Sequence, residues 1–574
     1  MISYSVRFTH PHRHFISFEA LFPHDGSEVL KFQLPSWRPG RYELGFFAKN
    51  IRSWRAYAED GRALPFVKST RDRWEVKAKG EKAVRIVYEY YAAELNAGST
   101  YLDTEQLYMN PVNCFFYLPH AYNLPYRIQF ELPEAYEIAC GLPHESAHVL
   151  LAKDFDQLAD CPLIASASLK HLHYACCGVD FRIWIQGEHR LDEELLLKQF
   201  EAFTAVQIDA FGGFPVSEYH FLFQFTPYFV RHGVEHTNST VIAMGPVADF
   251  LNENWYERML GISSHELYHT WNVKAIRPAE MQPYRFDQEN YTTLGYVAEG
   301  VTTYYGDVMM KRANVITAAS LLDIFSKHLD EHFDNPGRFH LSVAASSVDT
   351  WLDGYVAGIP GRKVSIYNEG CLIAWICDLR IMEATGLTRS LDDAMRLMYQ
   401  RFGISGKGYT EEDYRKALHE VSGVSFADVF DHLVYGTSDY TPYLKHVTDA
   451  LGLDWKSERA VKWSESALGI SVDDSGTKTV VSAVIPDSPG DLAGLWNDDE
   501  IVTVNGYAPY KNIQQLLRMH SGREIVLGVI RKYRHLQITL RDDSHIWKTR
   551  NVLSLKVNRS GDQVGIWKKW AGES

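Results

Sequence analysis

Long hydrophobic runs are missing from this chain. The longest apolar stretches, such as Cys371 to Cys377, are far too short to span a bilayer, so no membrane span is expected. Cysteine is sparse as well. Seven are scattered through 574 residues, an odd number with no short-spaced framework. That excludes a disulfide-stapled scaffold and reads as reduced, mostly buried thiols. No long basic run occurs and the net charge is −14, which excludes nucleic acid as an expected partner. The opening Met1-Ile2-Ser3-Tyr4-Ser5-Val6-Arg7 has no apolar core, and Arg7, His10, His12 and His14 interrupt it. It does not read as a signal peptide, and a cytoplasmic location is expected. No G-x-S-x-G elbow is found, so serine-nucleophile chemistry has no support.

What is there is ordinary globular material: 46% hydrophobic and 23% charged residues. At about 150 residues per domain, three or four domains are expected. Residues 1–170 read as a β-rich domain, an antiparallel sandwich. Segments such as Val84 to Tyr90 and Tyr126 to Leu132 alternate with a period of two, and Pro39-Gly40 and Asp60-Gly61 mark turns. Leu191 to Phe211 is helical in pattern and stops at Gly212-Gly213. Tyr219 to Phe225 reads as a strand. Helices opening on N-cap residue types follow at Ser390, Thr410 and Ser425. The pattern changes again near residue 458. Strands at Thr479 to Ile485, Glu500 to Gly506, Glu524 to Ile530 and Leu536 to Leu540 surround a short helix, Asn512 to Met519. The expected division is 1–170, 171–457, 458–545 and a C-terminal extension, 546–574. The fold class is multidomain α+β.

His265-Glu266-Leu267-Tyr268-His269 carries the chemistry. On an α-helix, residues four apart share a face, so both imidazoles can meet one Zn²⁺, with Glu266 beside them to take a proton from water. Taken alone, the motif also fits a surface helix with two unrelated histidines. A catalytic zinc needs a third protein ligand, and Glu299, in Tyr296 to Tyr305, is the best downstream candidate. Its alternative is a carboxylate that favours a helix N-terminus. His171, His173, Cys176 and Cys177 could be drawn as a second metal site. They alternate along one expected strand, Leu169 to Phe181, which would send Cys176 and Cys177 to opposite faces.

His265 to Lys274, then Arg277-Pro278, then Glu299-Gly300-Val301-Thr302-Thr303-Tyr304-Tyr305 resembles the glycyl aminopeptidase family of gluzincin zinc metallopeptidases. The resemblance implies a thermolysin-like catalytic domain and one Zn²⁺ held by His265, His269 and Glu299. It implies Glu266 as the catalytic carboxylate and Tyr367, in Val364 to Gly370, as the oxyanion donor. It also implies that His232-Gly233-Val234-Glu235-His236 forms an edge strand beside the substrate, with Gly233 in that strand and Glu235 gripping the free α-amino group. His232 stands where the family pattern has a second glycine. Gly295 and Ala275 also depart from the pattern. These departures bear on substrate preference. In the β-rich part, Leu34 to Tyr42 is the most family-like stretch.

Leu468-Gly469-Ile470-Ser471, Ser488 to Leu495 and Asp499 to Gly506 together resemble a PDZ domain. There the Leu468, Gly469 and Ile470 loop would receive a C-terminal carboxylate and a peptide would add as a strand. A stabilising lid without a ligand is the other reading. The function expected is a zinc aminopeptidase acting on peptides, with small Gly- or Ala-like N-terminal residues. A PDZ-assisted zinc endopeptidase and a non-catalytic peptide-binding scaffold are the alternatives.

Overall fold

Alternation builds the N-terminal sheets. In Ile2–Arg7 and Phe15–Pro23, Tyr4, Val6, Phe18, Ala20 and Phe22 are buried while Arg7 and Leu21 face outward. The computed structural model describes residues 1–24, 26–355 and 358–573. The strands form a seven-stranded sheet ordered His144–Ser146, Val149–Ala152, Tyr126–Glu131, Ile2–Arg7, Phe15–Pro23, Ala83–Tyr91 and Ile51–Ala58. Register places Phe18 opposite Tyr88, and their rings stack 4.8 Å apart. Phe32, Trp54, Trp74 and Phe116 continue this aromatic core, contributing large buried area with edge-to-face geometry. The sheet is not wholly antiparallel. Ile2–Arg7 pairs parallel with Tyr126–Glu131, which the long connection between them permits.

A second sheet of five strands runs Lys170–Cys176, Val179–Gln186, Glu218–Phe225, Ser239–Gly245 and Val230–Glu235. Its three inner strands pair in parallel and its outer pairs are antiparallel. Parallel pairing demands cover on both faces, and Tyr219 to Phe225 is accordingly buried throughout. The segment expected as one strand from Leu169 to Phe181 is instead a hairpin. Cys177 and Gly178, at φ +52° and +81°, form its two-residue turn, a backbone twist that suits hairpin connections. All seven cysteines are free thiols, and only Cys177 is exposed.

Helices follow. Glu253–Tyr268 is capped by the Asn252 side chain, which accepts from Asn254 N–H. It packs on Thr302–Arg312 at close range. Ser264 Oγ donates to Gly306 O at 2.8 Å, and a Cβ on Gly306 would sit only 3.2 Å from His265. The turn Tyr296–Val301 packs backbone to backbone on Ile366–Ala384, since a Cβ on either Gly300 or Gly370 would collide with the other's main chain. The helix Gly561–Ala571 buries Trp567 and Trp570, and Trp570 Nε1 donates to Tyr304 OH at 2.7 Å. No helix among the described residues is long and apolar enough to cross a membrane.

The chain divides into two units. The first comprises Met1–Leu321, Asn335–Val447 and Gly561–Ser574. The second comprises Leu322–Asp334 and Thr448–Ser560. The second unit holds a five-stranded sheet in sequence order, Ile470–Asp473, Val480–Val484, Glu500–Val504, Ile525–Arg531 and Arg534–Leu540. Leu468, Ile470, Val481, Ile501, Ile513 and Leu527 are among its core residues. Leu453–Arg459 and Thr549–Leu555 pair as a separate antiparallel ribbon.

Candidate metal centre

His265 lies in the last turn of Glu253–Tyr268 and His269 caps that helix, still in helical geometry, with its N–H on His265 O at 3.2 Å. Their Nε2 atoms therefore converge to 3.0 Å. Beyond His269 the chain leaves the helix through the wide turn Thr270–Ala275, where Asn272 is non-helical (φ −113°, ψ 87°). Glu299 lies in a second wide turn, Tyr296–Val301, a distortion that re-aims a side chain within a helical path. Its Oε2 stands 3.3 Å from His269 Nε2 and 3.9 Å from His265 Nε2.

These separations suit one small cation. Ligand bonds near 2.0–2.2 Å at tetrahedral angles leave donor atoms about 3.3–3.6 Å apart, and two imidazoles with a carboxylate are a catalytic zinc set. Each donor is oriented from behind. His269 Nδ1 lies 2.7 Å from Asn272 O, so an Nδ1–H there donates and leaves Nε2 to the metal. Tyr42 OH donates to Glu299 Oε1 at 2.5 Å, freeing Oε2. Asn272 also fastens the two ligand segments, since its Nδ2 donates to Val297 O at 2.9 Å and Thr302 Oγ1 at 3.1 Å. The residues present thus fit a zinc ion.

Electrostatics follow burial. Burial lowers His265 to about 3, helped by neighbouring His269 and opposed by Glu299. Burial also opposes charge on His269, but Glu299, Glu235 and Glu266 outweigh it and lift the group to about 10. Burial pushes Glu266 up to about 8 against the pull of His269. Tyr367 is held well above the ordinary phenol range by burial and then by Glu299 and Tyr355, so it stays a neutral donor.

A cleft of about 360 Å³ gathers Gly233, Glu235, His265, Glu266, His269, Glu299, Tyr355 and Tyr367. The edge strand Val230–Glu235 runs along it. A Cβ at Gly233 would collide with the Glu266 carboxylate, so glycine is what lets this strand pass over the helix. One oxygen each of Glu235 and Glu266 and a ring nitrogen of His269 lie within 4.8 Å of one another. The Tyr367 ring stacks along that of His265 at 6.4 Å. Sequence reasoning thus named residues that do share one cleft. Leu468, Gly469 and Ile470 lie in the second unit, where Gly469 takes φ +67° at the start of the edge strand Ile470–Asp473.

Several neighbours carried no sequence signal of their own. Tyr42 was only one letter of the stretch Leu34 to Tyr42. Asp160 collects Lys274 Nζ at 2.8 Å, His236 Nδ1 at 3.2 Å and Thr237 Oγ1 at 2.6 Å, and so anchors the end of the Glu235 strand. A lysine in the turn after the metal motif, 1% exposed at its side chain, was the available clue. Tyr355 lines the cleft together with Tyr367.

Residues 3–167 match the Peptidase M61 N-terminal domain. Residues 258–373, which contain His265, Glu266, His269, Glu299 and Tyr367, match the M61 glycyl aminopeptidase family. A search of curated proteins returned no match. Among solved structures, an aminopeptidase N family protein from Idiomarina loihiensis superposes with a TM-score of 0.91 at 22% identity, covering 100% of both chains. An M1 zinc metallopeptidase variant from Deinococcus radiodurans, bound to the substrate Tyr-Ser-Ala, gives a TM-score of 0.49 at 13% identity, covering 76% of this chain and 94% of its own. The unsubstituted form of that enzyme gives 0.47 at 13% identity over the same shares. The two matched segments make this chain a peptidase that carries an M61 N-terminal domain and an M61 glycyl aminopeptidase domain.

Proposed function

We propose that the protein is a zinc-dependent aminopeptidase that removes N-terminal residues, Gly- or Ala-like ones among them, from peptides. The observation that carries this reading is the convergence of His265, His269 and Glu299 beside an unpaired buried carboxylate, Glu235. His265 Nε2, His269 Nε2 and Glu299 Oε2 would hold the ion. When bound, Zn²⁺ supplies Lewis acidity toward a peptide carbonyl and toward water.

The chain's own groups supply the rest. Glu266 accepts a proton from the attacking water and delivers it to the leaving amine. The Tyr367 phenol donates a hydrogen bond where negative charge develops on the carbonyl oxygen. Glu235, only 4% exposed and with no hydrogen-bond or ion-pair partner among the described residues, receives the substrate ammonium. Gly40 closes over the Glu235 carboxylate so tightly that a Cβ would collide with it. That wall favours release of single residues over internal cleavage. Binding at Glu235 orients the peptide before reaction.

We read residues 1–170, 171–457, 458–545 and 546–574 as the β-rich, thermolysin-like, PDZ and extension parts. The left-handed Gly469 ahead of an edge strand supports a peptide-terminus site at Leu468, Gly469 and Ile470. Kinetics on a free peptide and its N-acetylated twin test the central reading. The free form should be cleaved and the acetylated form should not; equal cleavage would refute the exopeptidase assignment.

A further inference from the structure

Arg38 is a buried cation held by few contacts. Its residue is 4% exposed, its Nη2 is enclosed without a hydrogen-bond partner, and its Nη1 makes only a long bond, 3.3 Å, to Pro39 O. No carboxylate pairs with it among the described residues. Burying an ion this way is unfavourable, so the fold retains it against a penalty. The guanidinium lies flat on Gly98, where any Cβ would strike Nε and Nη2. The side chain is thus seated by the backbone around it.

Position gives the cation its meaning. Arg38 lines a cavity of about 450 Å³ together with Arg41, Glu43, Glu94, Asn96 and Ser99. Arg41 pairs with Glu43, and its guanidinium lies 5.2 Å from the ring centre of Tyr355, a residue of the metal cleft. Two residues on, Gly40 rests on the Glu235 carboxylate of that cleft. The loop Arg38 to Tyr42 therefore brings positive charge to the end of the cleft where Glu235 lies.

We propose that Arg38, seconded by Arg41, forms an anion subsite beside Glu235 and receives the side-chain carboxylate of an acidic N-terminal residue of the peptide. This rests on the reading that Glu235 holds the α-ammonium. An ammonium bound at Glu235 neutralises the carboxylate that Gly40 holds near Arg38, and the guanidinium keeps no ion-pair partner among the described residues. Glycine and alanine leave that imbalance in place. Aspartate or glutamate removes it with a charge-assisted, planar pair.

Aminoacyl anilides test this, because they carry no C-terminal carboxylate. Loss of a charge-assisted pair is worth about tenfold, so kcat/KM for the Glu anilide should exceed that for the Gln anilide by about tenfold. The ratio should fall to near one in Arg38→Met and recover in part in Arg38→Lys, with zinc content and thermal unfolding checking each fold. Equal Glu and Gln turnover by the unaltered protein, or a preference that survives Arg38→Met, would overturn the proposal. Activation of Gly-anilide turnover by acetate, without any Glu preference, would assign the subsite to free anions and also overturn it. If no free-amino anilide is cleaved at all, the aminopeptidase reading itself fails, a result distinct from a flat Glu to Gln ratio.

Discussion

Tyr42 and Glu299 stand 257 positions apart in the chain, yet the phenol of one donates to the carboxylate of the other at 2.5 Å. The hydrogen bond occupies Oε1 and turns Oε2 toward the two histidines. A partner behind a metal ligand typically accounts for 10- to 100-fold in affinity. Tyr42→Phe keeps the ring and removes only the donor. Zinc affinity measured by chelator competition should fall by about 10- to 100-fold, with little change in thermal stability of the chelated protein. Unchanged affinity would remove Tyr42 from the metal site.

Glu266 is expected to act on protons and not on the metal. Glu266→Gln should lower kcat by about 10²- to 10⁴-fold, the usual worth of a positioned acid–base group, while zinc stoichiometry stays at one. Stopped assays with metal analysis on the same preparation separate the two effects. Full turnover in this variant would eliminate the proposed proton route.

How much of this was legible depended on range. His265 and His269 were readable because helix geometry fixes residues four apart. Glu299 needed the packing of a second helix, which Gly306 and the Gly300–Gly370 contact allow, and such close approaches have no periodic signature. Tyr42 could not be found by pattern, since no local rule links a β-domain loop to a helical turn. The hairpin at Cys177-Gly178 was missed for a related reason. Cysteine carries little turn preference, and the positive φ at Cys177 is imposed by the flanking strand pairing. The second unit's strands were readable because Val, Ile and Leu alternate there toward one core.

Gly40 has two reasons to resist substitution. It takes φ +78°, and a Cβ would drive into the Glu235 carboxylate. The left-handed conformation alone costs a non-glycine residue roughly 1–2 kcal/mol. Gly40→Ala should therefore lower thermal stability modestly and, by displacing Glu235, raise KM for free-amino peptides. Glu235→Gln should raise KM further without the stability loss. A Gly40→Ala protein with unaltered KM would show that the loop does not position Glu235.

Asp160 supplies the acid sensitivity of the fold near the cleft. Burial alone would raise its carboxyl, but Lys274 and His236 overcome that and hold it well below the ordinary carboxylate range. Lys274 is in turn raised above the ordinary lysine range, because Asp160 outweighs its burial. The signs follow from proton linkage. The depressed Asp160 contributes stability fully present above about pH 4, the ordinary carboxylate value, and lost as pH falls toward its folded value. The raised Lys274 contributes stability fully present below about pH 10 and lost as pH rises toward its own. Asp156 and Arg277 also face this pair and nearly balance one another in charge. Removing one partner of a buried pair costs about 3–5 kcal/mol, so Asp160→Asn should be destabilised by that order between pH 5 and 9. The gap between Asp160→Asn and the unaltered protein should narrow below about pH 4, as the unfolded chain's carboxyl takes up a proton while the native one is still ionised. Urea unfolding across pH measures it. A gap that stays constant down to pH 3 would show that the pair carries no acid-dependent stability.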